Sequence, residues 1–236
     1  MIEIKNLTKK YGKHTALSDV TVSFKPVEIT AVVGPNGSGK TTLIKSILGL
    51  IGFNSGSIII SNHELNGNPI YRKDIGYMPQ IPNYPENLTV NDLMKMLKDL
   101  REEKKIIDDE LYDDLEIQKY SSIPIKNLSG GTKQKINAIL AFMFNPSILI
   151  LDEPTASLDP ISSSLLKNKI VKQNSSGKSI ILTSHNMSEI EELASNIVFL
   201  LEGRIYFNGL VSELKRISNE DKLERAVASI MKENKN

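Results

Sequence analysis

Gly34-Pro35-Asn36-Gly37-Ser38-Gly39-Lys40-Thr41 fits G-x-x-x-x-G-K-[ST] at every fixed position. The run follows an apolar, β-branched stretch, Ile29-Thr30-Ala31-Val32-Val33, and opens a helical pattern over 41–48. Strand, glycine-rich loop and helix in that order distinguish a phosphate cradle from an ordinary turn. The glycines let the backbone curl until consecutive N–H groups aim at one point. The helix N-terminus behind them adds partial positive charge. Lys40 brings a mobile ammonium to the β- and γ-phosphates, and the Thr41 hydroxyl reaches Mg²⁺. Residues 34–42, Thr42 included, are the candidate phosphate ligands of a nucleoside triphosphate site.

Two further stretches point to the same chemistry. Ser147-Ile148-Leu149-Ile150-Leu151-Asp152-Glu153 is an apolar strand without polar alternation, as expected of a strand buried on both faces of a parallel sheet. It ends in two acids, at the edge where open α/β sheets bind ligands. Asp152 is placed to hold Mg²⁺ through its hydration shell, and Glu153 to orient or deprotonate a water. Leu128-Ser129-Gly130-Gly131-Thr132 precedes a helix with apolar residues at Ile136, Ile139, Leu140 and Met143. Ser129, Gly130 and Gly131 therefore open a second helix N-terminus and a second candidate anion surface.

At this point the chain resembles the nucleotide-binding subunits of ABC transporters, over essentially residues 1–215. The glycine-lysine loop, Gln80 after Ile75-Gly76-Tyr77-Met78-Pro79, the Leu-Ser-Gly-Gly segment, the Asp-Glu strand, Ser157-Leu158-Asp159 and His185 stand in that family's order. The resemblance implies ATP and Mg²⁺ as cofactors and ATP hydrolysis as the activity. It places Tyr11 on the adenine, a stack worth roughly 1–3 kcal/mol. It places Gln80 at the Mg²⁺ and water region, Asp152 on Mg²⁺ through water, Glu153 on the attacking water and His185 on the γ-phosphate. His14 and His63 have no such context and are expected to be surface residues. Ser129, Gly130 and Gly131 are expected to act in trans, closing over ATP held by a second copy, with Asp159 at the seam of a two-fold homodimer.

Three positions depart from the family pattern. Thr132 stands where Gln is usual, shortening the trans contact but keeping a hydroxyl. Val27 stands where Gly is common; because Val resists positive φ, the turn there is expected to need none. Ser157 replaces a frequent Gly.

The chain has 236 residues, a formal net charge of +1 and 24% charged residues, so no basic excess argues for nucleic acid. It has no cysteine, which excludes disulfides, thiolate metal sites and a cysteine nucleophile. The first residues lack a signal peptide's apolar region, and no apolar run approaches the ~20 residues that span a bilayer. The expected location is cytoplasmic, peripheral on the inner face of the cell membrane, with a separate transmembrane permease as partner and a periplasmic accessory protein reached through it.

The expected fold is α/β, a P-loop NTPase core of the ABC type with an antiparallel β layer and an inserted helical subdomain. Strands are predicted at 2–5, 20–24, 29–33, 57–60, 75–78, 147–151, 179–183, 196–201 and 204–207. Helices are predicted at 40–50, 90–101, 108–117, 130–144, 161–173, 187–194 and 210–216. The ATPase domain is expected over 1–216, with 1–80 and 145–216 as core and 81–144 as helical subdomain. Thr89 and Asp92 read as a helix cap. The tail, 217–236, carries an apolar stripe at Leu223, Ala226, Val227 and Ile230 that suits docking on the chain's own core. The methionines read as core packing. A cleft is expected near Gln80, where Tyr77, Ile81, Tyr84 and Pro85 would take either a permease helix or subdomain packing.

A finer resemblance joins residues 75–80, Pro85-Glu86-Asn87-Leu88-Thr89, Leu97-Lys98-Asp99-Leu100-Arg101 and 128–138 to the ATPase subunit of the copper-processing ABC transporter that matures nitrous oxide reductase. Another ABC-2-type exporter is the alternative. So is a soluble ABC ATPase of repair or translation, but only 47 residues separate Gln80 from Leu128, too few for a long coiled coil, and there is one cassette.

Overall fold

The structure, a computed structural model, describes residues 1–65, 67, 69–101 and 108–233. Part of the expected helical subdomain, 102–107, and the end of the expected tail, 234–236, lie outside the described residues. The strands are β1 Ile2–Tyr11, β2 His14–Phe24, β3 Ile29–Val33, β4 Ser55–Ile60, β5 His63–Glu64, β6 Ile75–Met78, β7 Ile148–Asp152, β8 Ser179–Thr183, β9 Asn196–Leu201 and β10 Arg204–Leu210. The helices are α1 Lys40–Ile47, α2 Val90–Arg101, α3 Glu110–Asp114, α4 Gly130–Phe142, α5 Pro160–Ser175, α6 Met187–Leu193, α7 Val211–Ser218 and α8 Leu223–Glu233.

A six-stranded sheet runs β10-β9-β3-β8-β7-β6, parallel except for β10. A four-stranded antiparallel sheet runs β2-β1-β4-β5. The central strands show why their sequences do not alternate. Ala31, Val33, Leu149 and Leu151 pack on one side with α4, α5 and α6; Val32, Ile148 and Ile150 pack on the other with α1 and the antiparallel sheet. Both faces are dry, so both registers of each strand must be apolar. Because β3, β8, β7 and β6 are parallel, their C-terminal ends share one edge. That edge carries the loops beginning at Gly34, Ser184, Glu153 and Pro79.

The antiparallel layer is longer than its apolar pattern predicts. β1 and β2 continue through polar residues, with register shifts between Ile4 and Lys10. Asn6 and Asp19 take positive φ there, and Asn6 Nδ2 donates to Asp19 Oδ1 at 2.8 Å. These bulges break the period of two that the sequence reading relies on. The expected helix at 108–117 is also corrected: α3 has five residues, and Glu116, at φ 52, turns the chain into a 3-10 turn over Ile117–Tyr120. Lys169, 3% exposed at its side chain, ties α3 to α5 by contacts of 2.6 Å to Asp108 and 2.7 Å to Glu110. The cap of α2 forms reciprocally. Thr89 N–H donates to Asp92 Oδ2 at 3.1 Å, and Asp92 N–H donates to Thr89 Oγ1 at 3.1 Å. In α8, Leu223, Ala226 and Val227 are buried, and Ile230 packs beside them on the chain's own core.

Val27 overturns its expectation. It has φ 59, in the left-handed region, although its side chain is exposed. Pro26 occupies the preceding turn position, where a type II turn demands positive φ at the next residue. The Val27 N–H donates to Ser179 Oγ at 3.1 Å, which anchors the turn to β8. A β-branched residue there costs about 1–2 kcal/mol, against about 0.5–1 kcal/mol of extra backbone entropy for glycine. Val27→Gly is therefore expected to stabilise the fold by about 0.5–1 kcal/mol. A rise in the urea midpoint at unchanged slope would show it; a lowered midpoint would mean that the Val27 side chain contributes more than its backbone strain costs.

Candidate functional site

The loop after β3 wraps the start of α1. Two of its glycines allow close approach: a Cβ on Gly34 would stand 2.0 Å from the Leu200 carbonyl oxygen, and one on Gly39, at φ 108, 2.6 Å from that of Ala16. Helices α4, α5 and α6 are capped by the side chains of Ser129, Asp159 and Asn186. The N-cap of α1 is Gly39, which has no side chain to offer, so its first-turn N–H groups lack a side-chain acceptor. The buried Ser38 hydroxyl beside them has no partner among the described residues. These unfilled donors suit an anionic ligand with several acceptor oxygens.

A pocket of about 270 Å³ opens in front of α1. It is lined by Tyr11, His14 and Ala16 from the antiparallel layer, by 36–42 from the loop and α1, and by Gln80, Asp152, Glu153 and His185 from the parallel sheet's edge. Gly34 and Pro35 lie behind the lining, where their carbonyls accept from Lys40 Nζ at 2.7 and 3.1 Å. Burial lowers the Lys40 pKa, and the charges of Glu153 and Asp152 oppose that shift. Asp152 is 5% exposed and accepts a 2.5 Å hydrogen bond from Thr183 Oγ1, its register partner on β8. Thr183 also holds the Glu153 backbone N–H, through its Oγ1 at 3.1 Å and its carbonyl at 3.2 Å.

Glu153 leaves the sheet with φ 53, which turns its carboxylate towards the pocket. Its Oε1 lies 3.4 Å from His185 Nε2, and its Oε2 accepts from the His185 backbone N–H at 3.3 Å. Burial raises the Glu153 pKa; His185 works against the rise. The combination is a half-buried base beside an imidazole, with an ammonium and a second carboxylate in the same pocket. It can bind a phosphate chain and hold one water for attack.

Ser129, Gly130, Gly131 and Asp159 do not line this pocket. They form a separate surface, where Lys135 Nζ lies 3.0 Å from Asp159 Oδ2 and a Cβ on Gly131 would come within 3.0 Å of the Ser157 carbonyl oxygen. Ser157 itself has φ 66, a conformation that glycine would adopt without strain. Hydrogen bonds from Ser162 and Lys135 hold the Asp159 carboxyl well below the usual carboxylate range. The Thr132 expectation is corrected: its hydroxyl lies 2.9 Å from Ser129 Oγ and the residue is 8% exposed, so that hydroxyl serves the helix start rather than an outward contact.

His14 is exposed, as expected of a surface residue, and it also lines the pocket. The tight turn at Gly12, with φ 59, pairs it with Tyr11 across β1 and β2. That turn was the signal available in the sequence; Thr183 had none, because only strand register puts it beside Asp152. Near Gln80 lies a cleft of about 680 Å³ whose lining includes Tyr77, Ile81, Tyr84, Leu97 and Arg101, but not Pro85. Tyr84 belongs both to the cleft wall and to the edge of the core. Among the described residues no helix is long and apolar enough to cross a membrane.

A family model described as ABC transporter matches residues 17–156, more than half of the chain. The lantibiotic transport ATP-binding protein SrtF of Streptococcus pyogenes is 35% identical over 205 residues, covering 87% of this chain and 89% of that protein. Among solved structures, an ATP binding subunit of an ABC transporter superposes with a TM-score of 0.92 at 27% identity, covering 98% of this chain and 99% of that one. The ATP-binding cassette MJ0796, a dimer in a post-hydrolysis state bound to ADP and Pi, superposes with a TM-score of 0.79 at 25% identity, covering 89% of this chain and 98% of that one.

Proposed function

This chain belongs to the ABC transporter family, and from that premise we propose that it is the ATP-hydrolysing subunit of a transporter, closing as a homodimer over two MgATP and driving a separate transmembrane permease. The family is one of ATPases, with ATP and Mg²⁺ as cofactors. The observation that carries the residue assignments is the convergence of Lys40, Asp152, Glu153 and His185 on one pocket in front of a helix without a side-chain cap.

When bound, ATP supplies the phosphoryl group that water attacks, and Mg²⁺ offsets its charge. The N–H groups of 36–42 bind the phosphates, and Lys40 Nζ leaves the carbonyls of Gly34 and Pro35 to join them. Thr41, Gln80 and Asp152 would hold the metal, Asp152 through water. Glu153 orients the water and takes its proton, and His185 holds Glu153 and the γ-phosphate end. Tyr11 stacks on the adenine. That Ser129, Gly130, Gly131 and Asp159 lie apart from the chain's own pocket supports their use in trans.

Lys40→Ala removes one charge-assisted contact and is expected to weaken nucleotide binding by about 10- to 100-fold. Titration with a fluorescent nucleotide reads this directly, and equal affinity would mean that the loop is not the site.

The cleft at Tyr77, Ile81 and Tyr84 supports the reading that a permease helix docks there, with the chain on the inner face of the cell membrane. The copper reading rests on the motif resemblance at 75–80 and 128–138: a permease serving nitrous oxide reductase maturation, with a periplasmic accessory protein beyond it. A strain lacking this chain should then make nitrous oxide reductase deficient in copper. A copper-replete enzyme would leave the reading of another ABC-2-type exporter.

A further inference from the structure

Helix α4 carries two buried amides that the pocket itself does not use. Gln134 is 3% exposed and Asn137 1%, and three residues apart they share one helix face. Apolar side chains would pack there at lower cost, since a buried amide must have its donors and acceptor satisfied. Both amides are satisfied, and by informative partners. Tyr84 Oη donates to Asn137 Oδ1 at 2.8 Å. Asn137 Nδ2 donates to the Pro79 carbonyl at 2.7 Å and to Gln134 Oε1 at 3.3 Å. Gln134 Nε2 is shared between the carbonyls of Glu153 and Pro154, 3.4 Å from each.

One chain of hydrogen bonds therefore runs from a phenol in the cleft wall to the backbone on either side of the pocket. Pro79 immediately precedes Gln80. Glu153 sits at φ 53, a conformation that persists only where its surroundings fix it. The Pro79 carbonyl can only accept, so it holds the Asn137 nitrogen on its side, and the oxygen then faces the Tyr84 hydroxyl, the donor that satisfies it. Without the phenol proton that oxygen is buried with no donor, and the amide's hold on Pro79 and Gln134 loosens.

We infer that Gln134 and Asn137 are positioning residues that align Glu153 and Gln80, and that this alignment depends on the Tyr84 hydroxyl in the cleft wall. The inference rests on the assignment of Glu153 as the water-orienting carboxylate.

The test is ATP turnover by the purified full chain carrying Tyr84→Phe, Asn137→Leu or both, with melting temperatures recorded alongside. Tyr84→Phe keeps the ring and removes only the hydroxyl, so it carries the test even if Asn137→Leu does not fold. We expect Tyr84→Phe to lower kcat about fivefold, the worth of one hydrogen bond, with KM for ATP unchanged. The double variant should be no slower than Asn137→Leu alone, because both changes break the same chain. An unchanged kcat with only a lower melting temperature would show that the amides merely pack. Losses that multiply in the double variant would show that Tyr84 and Asn137 act separately. Glu153→Gln in the same assay separates the levels: if it retains turnover, the underlying assignment fails; if it loses turnover while Tyr84→Phe does not, this inference alone fails.

Discussion

Glu153→Gln is expected to keep nucleotide binding and to lower ATP turnover by on the order of 10²-fold or more. The replacement preserves shape and the contacts around Thr183 and His185 but removes the carboxylate proposed to take the proton of the attacking water. With cleavage blocked and binding intact, ATP should also hold two copies together, since in the proposed sandwich ATP closes the interface and hydrolysis reopens it. Size exclusion with and without ATP reads the second effect, and steady-state phosphate release the first. The pH profile gives an independent sign. Burial raises the Glu153 pKa above its ordinary 4.5. The active form is the carboxylate, so turnover should be complete above the raised pKa and fall as pH drops through it, at a higher pH than an exposed glutamate would give. The same shift makes the folded state favour the protonated form, so burial of Glu153 opposes folding above the raised pKa and ceases to do so below the unfolded value. Turnover unchanged by the substitution would remove Glu153 from the chemistry.

Ser129→Arg is expected to abolish cooperative turnover, by more than about 100-fold, while a single copy still binds ATP. Ser129 is exposed, outside the pocket that its own chain forms, at the start of α4. A long guanidinium there would hold the facing phosphates away from Gly130 and Gly131, and even a 1 Å misplacement of reacting groups can cost about 10²-fold. The substitution also removes the cap that accepts the Thr132 N–H at 3.2 Å, a loss of about 1 kcal/mol. Melting temperature separates that local cost from the block. If the variant no longer binds nucleotide even as a monomer, Ser129 acts in its own chain and the sandwich fails.

Local rules made much of this protein legible from its residues alone. Gly39 could be assigned to a phosphate loop because strand, glycine-lysine run and helix are contiguous. β7 could be placed in the interior because a strand wet on one face must alternate and this one does not. The cap at Thr89 and Asp92 spans three residues and needs nothing from the rest of the chain. What failed involved partners distant in sequence. Val27 accepts positive φ because Pro26 shapes the turn and Ser179, 152 residues away, holds it. β1 and β2 run through polar residues because bulges and cross-strand bonds replace the apolar period. Thr183 supports Asp152 through the register of two strands whose sequences do not mention each other. The hydrogen-bond chain from Tyr84 through Asn137 and Gln134 joins three segments that only packing brings together. The glycine-lysine loop, the two acids at the end of β7 and the family could be read from the residues alone, because backbone freedom and periodicity act over a few residues. Which side chains support those groups was decided by tertiary structure, because hydrogen bonds and burial depend on distance in space and not along the chain.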